Sequence, residues 1–465
     1  MDKSTEFCDE ARALLGERGF TRDADLVTPW LTDWRGRFTG KAIGLASPSS
    51  TQEVSALVKL CARHGVPIVP QGGNSGMVGG ATPDEAGRSI LLSLRRMNRI
   101  LDVDAEAGLV RAEAGVILQT LHEAVLAKGQ RFPLSLGGKG SATVGGLIST
   151  NAGGTQVLRH GTMRALVAGI RAVMPDGGIY EGMAALKKDN RGYDFRHLLI
   201  GAEGTLGIVT AATLRTVPAL IDRAVAWIGL DSVEAAYRLF RFIEKEGAGQ
   251  LEGFEILPEE CLANVLTHIE GTNDPLPEPH RWHALIEWVK DRDAQEDPTE
   301  LATRLLGDAF ERGLIGNAVL AQSEAQAEAF WKMREMISEA ERAAGPAVQH
   351  DISVPVEHMA DFIARETDVI EARWPGTRVA AFGHMGDGNL HYNIYPPKGQ
   401  PKSAFSDQAG RIKRAVHDLV HAFDGSISAE HGIGRIKTDD LARYGDPVKL
   451  SAMRAITAWK CARSM

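Results

Sequence analysis

Leu390, Tyr392 and Ile394 alternate with His391 and Asn393. A period of two turns the apolar set into packing and points His391 and Asn393 together to the opposite side, so this segment reads as a strand. Gly383, Gly386 and Gly388 make a helix costly just before it, and the seven-residue step from His384 to His391 reads as a loop running into that strand. Elsewhere the apolar pattern predicts helices over residues 5–19 and 51–64, the second beginning at Ser50 or Thr51, then short strands over 66–70 and 91–94. Residues 169–178 read as a strand and turn, 201–210 as a glycine loop entering a β run, 282–289 as a strand after the loop 272–280, and 349–355 as a further strand. Phe330, Met333, Met336 and Ile337 recur at helical spacing, which puts Arg334 and Ser338 one turn apart on one side. A cationic fork beside a hydroxyl suits a carboxylate, and an exposed arginine paired with Glu335 or Glu339 explains the same spacing. Glycine thins out near Pro218, where a domain boundary is expected.

Composition narrows the classes. With 465 residues the chain can build two or three domains and a large core, so oligomerisation is not required and a homodimer stays open. Hydrophobic residues make up 44% and charged residues 24%, and no apolar run approaches the length of a transmembrane helix. A net charge of −8, with no basic block carrying aromatics, argues against nucleic acid as a partner. The start, Met1-Asp2-Lys3-Ser4-Thr5-Glu6, has neither secretory nor transit character, and a cytoplasmic location is expected. Cys8, Cys61, Cys261 and Cys461 are scattered without a Cys-x-x-Cys, so a metal must be held by His and carboxylate.

The 50 glycines are concentrated in a few stretches, where backbone has to approach something closely. Gln71 to Gly80 follows a predicted strand, and its small residues can turn successive N–H groups inward around an anion such as a diphosphate; a flexible hairpin is the plain alternative. The spacing Gly73-x-x-Gly76-x-x-Gly79 is not the dinucleotide fingerprint of a Rossmann NAD site. Ser135 to Gly154 offers hydroxyls and an amide but little bulk, a surface able to lie against a planar ring system; turns between short strands explain its glycines less specifically. With residues 201–210, three glycine loops suggest one extended cofactor. His384 and His391 suit a divalent cation such as zinc, with Glu430 the evident carboxylate; satisfied histidines in a tight turn and a helix-capping acid are the competing reading.

The motifs at residues 70–80, 145–154, 201–209, 383–391 and 430–434, taken in order, resemble FAD-linked D-2-hydroxyacid dehydrogenases of the vanillyl-alcohol oxidase (PCMH-type) flavoprotein superfamily, on the branch of the D-2-hydroxyglutarate and D-lactate dehydrogenases. The resemblance implies an α+β protein: a PCMH-type FAD-binding domain of two α+β subdomains over residues 1–218, an α+β substrate or cap domain over 219–424, and a C-terminal segment, 425–465, returning to the FAD domain. It implies FAD held non-covalently by Pro70, Gln71, Gly72, Gly73, Asn74, Ser75 and Gly76 at the diphosphate, with Gly79 and Gly80. Along the rest of the cofactor it implies Ser135, Leu136, Gly140, Ser141, Thr143, Gly145 and Gly146, then Asn151, Ala152 and Gly153, then Glu203, Gly204, Gly207, Ile208 and Val209. His384, His391 and Glu430 match metal ligands, zinc first among them; His431 matches the catalytic base; Arg334, Ser338, Gln349 and Asn393 match the substrate contacts. The implied reaction oxidises a D-2-hydroxyacid, foremost D-2-hydroxyglutarate, by hydride transfer to flavin N5, with electrons passing to electron-transfer flavoprotein or a quinone. Gln349 stands where that branch often carries Lys, which weakens the grip on a distal carboxylate and makes D-lactate a rival, with glycolate, D-malate and metal-free alcohol or aldonolactone oxidation behind it.

Overall fold

The computed structural model describes residues 3–247, 249–292, 294, 296–345, 347–397 and 402–459. The protein is α+β and divides into two compact units, the first made of Met1–Gly154, His160–Ala219 and His431–Met465, the second of Thr155–Arg159 and Leu220–Glu430.

In the first unit, helix Thr51–His64 begins where its sequence dictates. Ser50 caps it by accepting from the Glu53 N–H, Glu53 reaches back to the Ser49 N–H at 2.7 Å, and Gly65 ends it at φ 65°. Its apolar face, including Val54, Leu57 and Cys61, packs in a core with Phe7, Phe20 and Ile90. Each fully buried Val, Leu or Phe there contributes about 1.5–3 kcal/mol. Strand Ile68–Gln71 then lies parallel to Ile90–Ser93 with Val69 opposite Leu91. The first glycine run therefore starts at the carboxyl end of a parallel strand, the end where open sheets of this kind place ligands.

The other subdomain of this unit is an antiparallel sheet ordered Ile100–Asp104, Leu109–Glu113, Ile208–Arg215, Val167–Val173, Ile179–Gly182. Val110, Ala112, Ile170, Ala212 and Leu214 form its core together with Val144 and Ile148. Those two belong to helix Val144–Thr150, an element the glycine-rich sequence did not announce: Thr143 caps it through the Gly146 N–H, and Asn151 ends it at φ 52°. Two turns of helix survive the adjacent Gly145 and Gly146 because the apolar side packs against the sheet and both ends are capped.

The second unit is a sheet ordered Asn317–Leu320, Asp222–Leu230, Trp282–Lys290, Leu251–Pro258, Arg378–His384, Asn389–Tyr395, Asp351–Ser353, with every pairing antiparallel. Both faces are covered. Phe254, Ile256, Leu390, Tyr392 and Ile394 pack on one side with helices Val233–Glu246, Pro298–Glu311 and Met359–Arg373. Trp227, Leu257, Phe382 and Tyr395 pack on the other with Glu259–His268, Glu324–Glu335 and Ile337–Ala344. Two expectations are corrected here. His384 is not in a loop but ends strand Arg378–His384, and only residues 385–388 turn, with Gly388 at φ 76° pairing the two histidine-bearing strands as a hairpin. The helical run at 330–338 is interrupted at Met336, so Arg334 is buried while Ser338 faces solvent. Among the described residues no helix is long and apolar enough to cross a membrane.

Candidate functional site

Two constellations matter, one in each unit. In the first unit the glycine runs are pressed together: a Cβ on Gly73 would lie 1.7 Å from the Ser141 carbonyl oxygen, and one on Gly72 would lie 2.5 Å from the Thr143 hydroxyl. Gly145 is held against Ala114 in the same way, with a Cβ at 2.8 Å from the alanine methyl. Gly76, Gly137 and Gly140, by contrast, have nothing among the described residues within 4 Å of a Cβ and open outward. Asn74 takes φ 53°, the left-handed half of the alternation that turns successive N–H groups to one side. The flanking side chains brace the cradle. Gln71 Nε2 donates to the Trp30 and Ala81 carbonyls, leaving its buried Oε1 without a partner among the described residues, and Asn74 Nδ2 donates to the Thr32 carbonyl.

Several residues matched to the cofactor use their side chains on the fold. Asn151 Oδ1 accepts from the Thr162 hydroxyl and the Arg164 N–H, both at 3.0 Å. Glu203, at φ 49°, accepts from the Ile433 and Gly434 N–H groups at 2.8 and 2.7 Å, fixing the returning C-terminal segment, and a Cβ on Gly204 would meet Pro70 at 2.8 Å. Gly79 turns at φ 69° against Phe38, and Gly80 lies 3.3 Å, measured from a built Cβ, from Gly434. Ala152, Ile208 and Val209 are buried, while Ser135, Leu136, Ser75, Gly146 and Gly153 are half-buried. A narrow seam of backbone with open glycines beside it and an orphaned amide oxygen fits a long, hydrogen-bonding cofactor such as FAD.

In the second unit, cross-strand register sets the chemistry. His384 stands opposite Glu255 on the neighbouring strand, and its Nδ1 lies 2.5 Å from Glu255 Oε1. That contact leaves Nε2 facing Glu430 Oε1 at 3.9 Å. Donor atoms of His384, His391 and Glu430 all lie within 4.8 Å of one another. Neighbouring donors of a tetrahedral zinc with bonds near 2.1 Å sit about 3.4 Å apart, so the group fits a divalent cation with a small closing of its side chains. Asp351 holds this wall: its Oδ2 accepts from the Glu430 N–H at 3.1 Å and its Oδ1 from Asn389 Nδ2 at 3.1 Å.

Charge follows the geometry. Burial works to lower the imidazole of His384, but the Glu255 carboxylate outweighs it and raises the group to about 9. Burial pushes Glu255 the other way, and the charges of His384 and Arg334 bring it down to about 2. Glu430 rises to about 7 through burial, with His384 opposing and Asp351 adding. Such a half-buried carboxyl beside a cationic imidazole is the balance a bound cation would invert.

Arg334 projects onto the same face. It pairs with neither Glu335 nor Glu339 but with Glu255, through Nε at 2.9 Å and Nη2 at 2.7 Å, and its guanidinium lies 5.2 Å from the Phe382 ring. Asn393 donates through Nδ2 to Glu341 at 2.7 Å. Ser338 and Gln349 are exposed, so the structure gathers Arg334, Asn393, His384, His391 and Glu430 but leaves these two at the surface. Glu255, Glu341 and Asp351 were missed by sequence reasoning. The available signal was an acid among alternating apolar residues, as in Leu251-Glu-Gly-Phe-Glu-Ile-Leu257.

Residues 42–182 match the FAD binding domain family and residues 221–459 match the family of FAD linked oxidases, C-terminal domain. A D-2-hydroxyglutarate dehydrogenase of Xanthomonas citri pv. viticola is 36% identical over 91% of this chain and 88% of its own. A mitochondrial D-2-hydroxyglutarate dehydrogenase of Arabidopsis thaliana is 35% identical over 96% and 78%, and a putative mitochondrial D-lactate dehydrogenase of Schizosaccharomyces pombe is 35% identical over 87% and 77%. Among solved structures, p-cresol methylhydroxylase superposes with a TM-score of 0.74 at 14% identity, over 98% of this chain and 94% of its own. The 4-ethylphenol oxidase of Gulosibacter chungangensis follows at 0.73 and 18%, over 99% and 95%. The expected cytoplasmic location is corrected by these relatives: those of rice, Arabidopsis and cattle are named mitochondrial, which points away from the cytoplasm, although the Xanthomonas relative is compatible with it. An acidic start was weak ground, since targeting signals are short appendages independent of the fold they accompany. With both family models matched in order and relatives aligned along nearly its whole length, the chain belongs to the FAD-linked oxidases and is an FAD-dependent oxidoreductase.

Proposed function

We propose that the protein oxidises a D-2-hydroxyacid, D-2-hydroxyglutarate first, to the 2-oxoacid. The observation that carries the reading is the meeting of a guanidinium, an amide and a His-His-Glu group on one face of one sheet, in a chain whose relatives carry D-2-hydroxyglutarate dehydrogenase names. We assign FAD binding to the first unit and substrate binding to the second; the expected bounds 1–218, 219–424 and 425–465 differ from these units in that Thr155–Arg159 and residues 425–430 fall in the second. FAD, when bound, would supply a two-electron acceptor for the hydride that leaves C2 of the substrate. His384, His391 and Glu430 would hold a divalent cation, zinc by donor type, which supplies Lewis-acid polarisation of a hydroxyl and carboxylate.

The chain's own residues do the rest. Arg334 binds the carboxylate next to the reacting carbon through the guanidinium edge that its ion pair with Glu255 leaves available. Asn393, fixed by Glu341, offers its amide oxygen to the hydroxyl side of the substrate. His431 takes the hydroxyl proton, and its place in the chain next to Glu430 sets base and cation ligand one peptide bond apart. Electrons leave to a carrier such as electron-transfer flavoprotein or a quinone.

A second reading, D-lactate, is supported by Gln349, a neutral exposed group where a cation would grip a distal carboxylate, and by the fission-yeast relative's name. Dye reduction by the purified flavoprotein decides between them. D-2-hydroxyglutarate is expected to give the highest kcat/KM and the L-enantiomers none; D-lactate above D-2-hydroxyglutarate would overturn the first choice, and turnover unaffected by chelation would overturn the cation's role.

A further inference from the structure

Glu255 is 1% exposed in the middle of strand Leu251–Pro258, and both of its oxygens are engaged by groups far away in sequence. Oε1 lies 2.5 Å from Nδ1 of His384, 129 residues on. Oε2 lies 2.9 Å from Nε and 2.7 Å from Nη2 of Arg334, 79 residues on. A buried carboxylate this well partnered is held by geometry from three directions: its own strand, the antiparallel register with His384, and the last turn of helix Glu324–Glu335.

Each partner has one surface fixed and another left for chemistry. The hydrogen bond to Nδ1 fixes the ring and turns Nε2, the nitrogen left to ligate a cation, toward Glu430. Engaging the Nε and Nη2 edge of Arg334 fixes the guanidinium plane over Phe382 while Nη1 takes no part in the pair. We propose that Glu255 is a positioning residue for the reaction, a single carboxylate that sets both the imidazole holding the cation and the guanidinium holding the substrate carboxylate. The proposal rests on the roles assigned to His384 and Arg334 above. Because the two oxygens belong to one rigid group, an adjustment at the cation side is transmitted to the substrate side.

A neutral amide cannot serve both partners, since it has one acceptor oxygen and its nitrogen would face a donor. Glu255→Gln in the FAD-loaded enzyme is therefore expected to weaken Zn2+ about 10–100-fold in competition with a chromophoric chelator. The KM for D-2-hydroxyglutarate is expected to rise by about tenfold in the same variant, the cost of loosening one charge-assisted contact. His384→Ala is expected to lose Zn2+, and Arg334→Ala to raise KM while keeping Zn2+ affinity. Zn2+ affinity and KM both within threefold of wild type in Glu255→Gln would overturn the proposal and mark Glu255 as a purely structural ion pair. Failure of the wild type itself to bind Zn2+, with His384→Ala indistinguishable from it, would instead overturn the site reading on which the proposal stands. If Glu255→Gln does not accumulate as folded flavoprotein, Glu255→Asp carries the same comparison, because it keeps the charge but is one methylene too short to reach both partners; unchanged Zn2+ affinity and KM there overturn the proposal equally.

Discussion

Replacing Glu341 by Gln should stabilise the protein at alkaline pH and do almost nothing in acid. Glu341 is 2% exposed on helix Ile337–Ala344, and burial raises its carboxyl from 4.5 to about 7, against the opposing pull of Tyr395, Asn393 and Arg334. An acid whose folded value is raised keeps its proton longer in the native state than in the unfolded chain, so its favourable contribution is complete below pH 4.5 and is lost as pH climbs through 7. At 1.36 kcal/mol per pH unit, a rise of about 2.5 units corresponds to about 3 kcal/mol lost across that window. Gln keeps the oxygen that accepts from Asn393 and cannot ionise, so the variant escapes the loss. Urea unfolding of wild type and Glu341→Gln at pH 4 and pH 8 measures it: near-equal stabilities at pH 4, and the variant ahead by up to about 3 kcal/mol at pH 8. A difference between the two proteins that stays flat from pH 4 to 8 would refute the claim that a buried carboxyl is being forced to ionise.

Gly73→Ala has to move the Ser141 backbone and should abolish FAD retention, read as the flavin-to-protein absorbance ratio, whereas Gly76→Ala meets no atom of the described residues and should weaken FAD without altering the unfolding midpoint. His431→Ala should keep its yellow flavin and lose dye reduction by about 100-fold or more, the usual contribution of a general base; wild-type turnover would exclude His431 from that role. Glu203→Ala removes the acceptor for two backbone N–H groups and should cost about 2–4 kcal/mol of stability, checked by thermal unfolding; an unchanged midpoint would mean that the C-terminal segment is held by other contacts.

Local patterns carried the sequence reading as far as local physics reaches. The alternation of Leu390, Tyr392 and Ile394 was enough to aim His391 and Asn393 at one face, and the Ser50 cap was enough to start a helix. The turn after His384 was drawn too long, because three glycines signal flexibility without saying which of them bends; only the pairing of Gly383 with Leu390 fixes that. Helix Val144–Thr150 was invisible for the opposite reason: its stability comes from a sheet contact that no propensity encodes. Ser338 lost its place beside Arg334 at Met336, where one helix ends and the next begins. Glu255, Glu341 and Asp351 could not be found at all, since an acid is recognised as a site residue only when its partner, here 79, 52 or 79 residues away, is brought alongside.

The bond between Glu203 and Gly434 spans 231 residues, and nearly the whole second unit is threaded between its ends. At about 5–20 residues per second, a ribosome needs about 10–50 s to make that stretch. Throughout that interval the Glu203 carboxylate has been synthesised without the backbone amides it will clasp. A nascent chain that stalls anywhere before residue 433 therefore carries a first unit whose closing clasp has not yet been made, and quality-control proteases have a window set by translation rather than by folding.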